Sequence, residues 1–154
     1  MKRVITPISH LCVLAFTLCS NVIAQNPIVR NQYSADPSAR VFGDRVYVFP
    51  SHDILATEGK GRVGWFCMED YHVFSMENMQ SPLVDHGEVL HVKNVPWASK
   101  QMWAPDAAFK DGTYYLYFPV RDKDHIFRIG VATSKSPAGP FVAEPDYIQG
   151  SFSI

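Results

Sequence analysis

Two stretches of this 154-residue chain set a carboxylate beside a proline with an aromatic side chain close behind. One is Ser34-Ala35-Asp36-Pro37-Ser38, followed by Phe42; the other is Trp103-Ala104-Pro105-Asp106, followed by Phe109. A third acid, Asp53, follows Ser51-His52. Sugars are bound by stacking of their C–H faces on aromatic rings and by carboxylate hydrogen bonds to hydroxyls, and glycoside cleavage needs a pair of carboxylic groups. Aspartate also has an ordinary use as a turn residue that bonds its own backbone, the preferred reading for Asp44 and Asp111. For Asp36 and Asp106 both readings stay open on residue type alone, although their matched places favour function.

The elements that must carry these acids read as strands. Asp111-Gly112 between the apolar run Ala107-Ala108-Phe109 and the aromatic run Tyr114–Phe118 is a strong hairpin signal, because glycine accepts the positive φ of such turns. Gly43-Asp44 leads in the same way into a strand from Val46 to Phe49. The likeness continues: Tyr71–Ser75 and Ile129–Thr133 alternate and are followed by Ser81-Pro82 and Ser136-Pro137, then by the short segments Val84–Val89 and Pro140–Val142. No segment has sustained helical periodicity. Successive units of about four short strands, each too small to bury its own faces, predict an all-β propeller. The first unit is expected from Asp36 to about Ser81, the second from about Val84 to about Val142, and the start of a third near Tyr147.

Composition narrows the function classes. The chain is 47% hydrophobic and 13% aromatic, enough for a cored domain. Lys2 and Arg3, an apolar run from Leu11 to Leu18 and small residues near Ala24 have the layout of a signal peptide over residues 1–24, too short in its apolar part to span a bilayer. Export to the periplasm or outside the cell is therefore expected, with lipid attachment at Cys19 poorly supported by Phe16-Thr17-Leu18, and no membrane association after cleavage. Cleavage lowers the basic count from 14 to 12 against 15 acids, a net charge of −3, with no nucleic-acid footprint. It also leaves Cys67 as the one cysteine, expected to be buried and inert. Gly59-Lys60-Gly61-Arg62-Val63-Gly64 matches a dinucleotide fingerprint but lacks the strand-turn-helix context and reads as a loop. His52, His72, His86, His91 and His125 show no compact ligand spacing, and no GxSxG elbow is present. No metal ligand is assigned and no cofactor is required, though the channel of a propeller could hold a structural metal ion with ligands from separate blades.

Three ordered motifs then become recognisable together. Ser34-Ala35-Asp36-Pro37-Ser38, Trp103-Ala104-Pro105-Asp106 with Tyr114-Tyr115-Leu116-Tyr117, and Gly130-Val131-Ala132 with Ser136-Pro137-Ala138-Gly139-Pro140-Phe141 resemble glycoside hydrolase family 43 over about residues 27 to 154. The resemblance implies a five-bladed β-propeller, of which residues 25–154 would form the first two blades and the start of the third. It also implies inverting hydrolysis of arabinose- or xylose-containing polysaccharides and oligosaccharides, with a carbohydrate as the partner.

By the same resemblance Asp36 matches the general base and Trp103 a wall of the pocket for the terminal sugar. His52 and Asp53 would line the same mouth, and Asp106 would bind substrate or fix the turn. The pKa-tuning Asp and the general acid Glu of the family would lie beyond Ile154, so this chain alone is expected to be nearly inactive. A carbohydrate-binding propeller without catalysis is the alternative from another class; a fructoside hydrolase is argued against by the Trp-Ala-Pro-Asp stretch.

Overall fold

The computed structural model describes residues 27–58 and 62–152, and within them the chain is built from antiparallel strands. The expected leader, residues 1–24, and Gly59-Lys60-Gly61 of the glycine-rich loop lie outside the described residues. The first sheet has the order β1 (Ser34–Phe42), β2 (Arg45–His52), β5 (Asp70–Met76), β6 (Val84–His91). Between its second and third strands a small hairpin, β3 (Ile54–Leu55) with β4 (Phe66–Cys67), projects as a separate two-stranded sheet. A 3-10 turn, Val92–Asn94, leads into the second sheet. That sheet is made of β7 (Ala98–Lys100), β8 (Asp106–Lys110), β9 (Thr113–Asp122), β10 (Phe127–Ser134) and β11 (Val142–Ala143). Its central strand β9 pairs with β8 along its first half and with β7 at its far end.

The turn chemistry acts as its residue types dictate. Lys110 pairs with Thr113, so Asp111-Gly112 is a two-residue loop with φ of 50 and 74, the double positive of a type I′ turn. Phe42 pairs with Arg45 across Gly43-Asp44, where only Gly43 is positive at φ 63, the sign pattern of type II′. These turns fix register, and register fixes which side chains enter the core. Along β9, Leu116, Phe118 and Val120 are buried at every second position. They meet Phe49, Tyr71, Val73 and Leu90 of the first sheet, Ala132 of the second, and Phe141 just before β11 in one core. The opposite face of the first sheet buries Val48, Phe74 and Met76 under Val29 and Leu83, so that sheet is covered on both sides. Truncating a fully buried ring such as Phe118 to Ala would cost about 3–5 kcal/mol. Gly130 makes room for the stacked rings of Trp97 and Phe118, 6.5 Å apart; a Cβ there would lie 2.5 Å from the Phe118 ring.

Two expected boundaries shift. The segment from Val84 pairs with β5, from Ser75↔Val84 to Asp70↔His91, so the first sheet runs to His91 rather than to about Ser81. Ser81-Pro82 is a connection inside that sheet and not the end of a unit. From Tyr147 the chain forms no strand among the described residues but runs back along β10. There Ile148 N–H donates to Ile129 O at 2.9 Å, and Arg128 lies over the Tyr147 ring and donates to Ser151 O at 2.9 Å. Cys67 is buried and unpaired, as expected.

Candidate active site

Asp36 sits where the first sheet's ladder breaks. β1 pairs Ala35 with Ser51 and next Ser38 with Phe49, so Asp36 and Pro37 bulge opposite Pro50. Two prolines meet there, and neither has an N–H to give a ladder. Asp36 takes φ 47, a left-handed conformation that Asp tolerates better than most residues. Such backbone persists where the surroundings hold it, and it is found preferentially at functional sites. Among the described residues no hydrogen bond or ion pair reaches the Asp36 side chain.

Asp53 stands close by. Its N–H donates to Tyr33 O at 3.0 Å, and the Ser51 hydroxyl lies 3.2 Å from both Ala35 O and Asp53 Oδ1. Burial raises the Asp53 pKa above the ordinary Asp value; the Ser51 hydrogen bond opposes this, and the charge of Asp36 adds to the rise. Asp36 and Asp53 are thus two carboxylates that feel each other at the mouth of the first sheet. His52, expected at the same mouth, ends β2, the second strand in the sheet, and its Nδ1 is 2.5 Å from Asp70 Oδ1.

Trp103 comes from the loop before β8 and remains 37% exposed. Its N–H donates to Pro119 O at 2.9 Å, its carbonyl accepts from the Tyr71 hydroxyl, and its ring lies on Phe127 with centroids 4.0 Å apart. Tyr71 is fully buried, which raises its hydroxyl well above the usual tyrosine range and keeps it a donor. One face of the indole is therefore supported while part of it remains open to solvent, a suitable platform for a sugar ring.

Asp106 has a different setting. It pairs with Arg40 of β1, accepts its following N–H, that of Ala107, at 2.8 Å, and lies in register with Tyr117. Arg40 also donates to Ala107 O at 3.2 Å, joining β1 of the first sheet to β8 of the second, which lie against each other. Burial pushes the Asp106 carboxyl up, but Arg40 and the Ala107 N–H outweigh it and hold the acid below its ordinary value. An acid held ionised in this way is a poor proton donor and a good clasp.

Sequence reading did not single out Arg40, Asp70 or Tyr71. The signal for Asp70 was in the register: Val46↔Met76 and Val48↔Phe74, extended, bring His52 opposite Asp70. Among the described residues one group of three ligating side chains comes together, His52, Asp70 and His72. All three belong to the first sheet, which is not the arrangement expected of a channel ion held by separate blades.

The sequence model of glycosyl hydrolases family 43 matches residues 24–154. The chain belongs to glycosyl hydrolase family 43. It is 53% identical over 131 residues to a xylosidase/arabinosidase 43A of Humicola insolens, an alignment covering 83% of this chain and 40% of that protein. It is 46% identical to a xylosidase/arabinosidase of Bacteroides ovatus, over 82% of this chain and 40% of that one. Among solved structures it superposes on CoXyl43, a β-xylosidase/α-arabinofuranosidase from a compost metagenome in a calcium-free complex with xylotriose. The TM-score is 0.78 at 55% identity, over 85% of this chain and 40% of that one. The family 43 chain described here thus spans about 40% of the length of these relatives.

Proposed function

We propose that the protein carrying this chain is an inverting glycoside hydrolase of the xylosidase/arabinofuranosidase kind, built as a five-bladed β-propeller, with Asp36 as its general base. The observation that carries the reading is the setting of Asp36: a carboxylate left without a partner among the described residues, in a left-handed bulge beside a second acid. In this reading Asp36 takes a proton from a water on the face of the sugar opposite the leaving group, and Trp103 stacks against the terminal sugar. An inverting reaction requires a protonated acid about 6.5–9.5 Å from the base. Asp106 does not suit that role because Arg40 holds it ionised. The family resemblance assigns the acid to a Glu beyond Ile154, so residues 1–154 alone would turn over substrate barely at all. Xylose- and arabinose-containing glycans are the substrates favoured by the relatives' names, an exported location goes with the proposed leader, and a structural ion in the propeller channel remains part of the proposal.

The test is turnover of aryl xylosides and aryl arabinofuranosides by the intact protein, with the first-formed sugar anomer followed by NMR. Release of product with inverted configuration is expected. Retained configuration would reject the inverting assignment, and sugar binding without turnover would move the protein to the class of carbohydrate-binding propellers.

A further inference from the structure

His52, Asp70 and His72 form a constellation of which the proposed hydrolysis uses at most His52, at the pocket mouth. Each offers one ligand atom, and these atoms all lie within 4.8 Å of one another. Asp70 is 8% exposed and both histidines are half-buried. The two imidazole rings meet edge to face with centroids 4.9 Å apart. The rings differ in their Nδ1 contacts: His52 Nδ1 lies 2.5 Å from Asp70 Oδ1, so these two would face the ion directly, whereas His72 Nδ1 is 3.3 Å from Oδ1 of a carboxylate outside the group, Asp85. Asp85 is fixed in turn, accepting the Gly87 N–H at 2.8 Å and the Asn31 amide at 3.4 Å.

A single carboxylate is enough to hold one half-buried histidine. The second imidazole, turned against the first and oriented by its own carboxylate, is what an ion-pair reading leaves without a purpose. For His72, the Asp85 carboxylate on Nδ1–H leaves Nε2 as the basic nitrogen and fixes the ring, the arrangement that metal-ligating histidines usually show. Ligand atoms around one tetrahedral zinc ion at ~2.0–2.2 Å stand ~3.3–3.6 Å apart, so binding draws this group together by about an ångström and opens the His52–Asp70 contact to admit the ion. Two imidazoles and one carboxylate suit a zinc-class ion; calcium and magnesium prefer all-oxygen shells.

We propose that His52, Asp70 and His72 form a binding site for a zinc-class divalent cation that ties the end of β2 to the start of β5. The position gives such an ion a purpose. The backbone ladder between β2 and β5 stops at Val48↔Phe74, so the last residues of β2, which lead to Asp53, are joined to β5 by side chains. A cation there fixes Ser51-His52-Asp53 against the sheet and so holds Asp53 beside Asp36.

The experiment is titration of the chelator-treated intact protein with Co2+, followed by Zn2+. One Co2+ per chain is expected, with the visible absorption of a low-coordinate nitrogen/oxygen site, displaced by Zn2+ and accompanied by a rise in Tm. Asp85→Asn, which leaves all three ligands in place, should weaken binding about 10–100-fold, and His72→Gln should weaken it further. Circular dichroism establishes that each variant is folded. Absence of stoichiometric binding, or equal affinity in wild type and Asp85→Asn or His72→Gln, would overturn the site. Because the readout is metal binding and not turnover, failure here leaves the hydrolase reading standing, and failure of that reading leaves this one.

Discussion

Asp36 and Asp106 enter their sheets in closely similar ways, each beside a proline in the first residues of a strand, β1 and β8, that leads into a two-residue hairpin, yet the fold treats them oppositely. Asp36 is lifted out of the ladder into a left-handed bulge, with a like charge at Asp53 as its electrostatic neighbour. Asp106 lies in the ladder opposite Tyr117 and is tied to Arg40. The cation that ties it comes from β1, four residues after Asp36, so one strand presents an acid without a partner among the described residues and also clamps its counterpart. Local sequence sets the places of the two acids, and a partner 66 residues away in the chain decides what the second can do.

The sharpest way to break this contrast is to remove each acid in the intact protein. Asp36→Asn should lower kcat on an aryl xyloside by ~10²–10⁴-fold, the usual contribution of a general base. Thermal stability should be nearly unchanged, since the side chain makes no bond to lose among the described residues.

A third aspartate extends the comparison to a carboxylate enclosed by donors. Asp122 accepts the N–H groups of Asp124 and Ile126 and Arg128 Nε, each at 2.9 Å. Burial raises its pKa, but these donors prevail and hold it below the ordinary value. Asp122→Ala should destabilise by about 1–3 kcal/mol, because it leaves Arg128 and the two amides without their acceptor close to the surface. Urea unfolding measures this, and an effect below about 1 kcal/mol would mean that the cluster is better solvated than it looks.

Trp103 separates binding from chemistry. Trp103→Ala should raise KM about tenfold with kcat little changed, the mark of an interaction made equally in ground and transition states. An equal fall in kcat would place the indole in the transition state instead.

The smallest effect belongs to Asp106. Both partners of the Arg40 pair are about half exposed, so Asp106→Asn should cost no more than about 1 kcal/mol. The sign with pH follows from a lowered folded pKa. The stabilisation is present above about pH 4, the unfolded value, and disappears as the pH falls through the lower folded value. The difference between wild type and Asp106→Asn, compared by urea unfolding at pH 7 and near pH 3, should therefore shrink at the lower pH.

Much of the fold was legible because it rests on local chemistry. Asp111-Gly112 and Gly43-Asp44 demand hairpins, whereas Tyr114–Phe118 is apolar at every position and only the folded sheet shows that Leu116 and Phe118 face the core. The end of the first sheet was misplaced because Ser81-Pro82 looks like a boundary, while only pairing shows that Val84–His91 belongs with β5. Arg40 carries no local pattern at all, and its importance exists only once two sheets meet. His52 and His72 looked unrelated because their spacing matches no ligand motif; the register between β2 and β5 brings them together.

The division of labour between the two acids is tested most directly by chemical rescue. Asp36→Ala and Asp106→Ala of the intact protein would each be assayed on an aryl xyloside with and without azide, a small anion that attacks the anomeric carbon without needing a base. The account predicts that azide restores leaving-group release and forms a glycosyl azide in Asp36→Ala, while Asp106→Ala keeps most of its activity and gains nothing. Parental turnover in Asp36→Ala, or rescue of Asp106→Ala in its place, would contradict it.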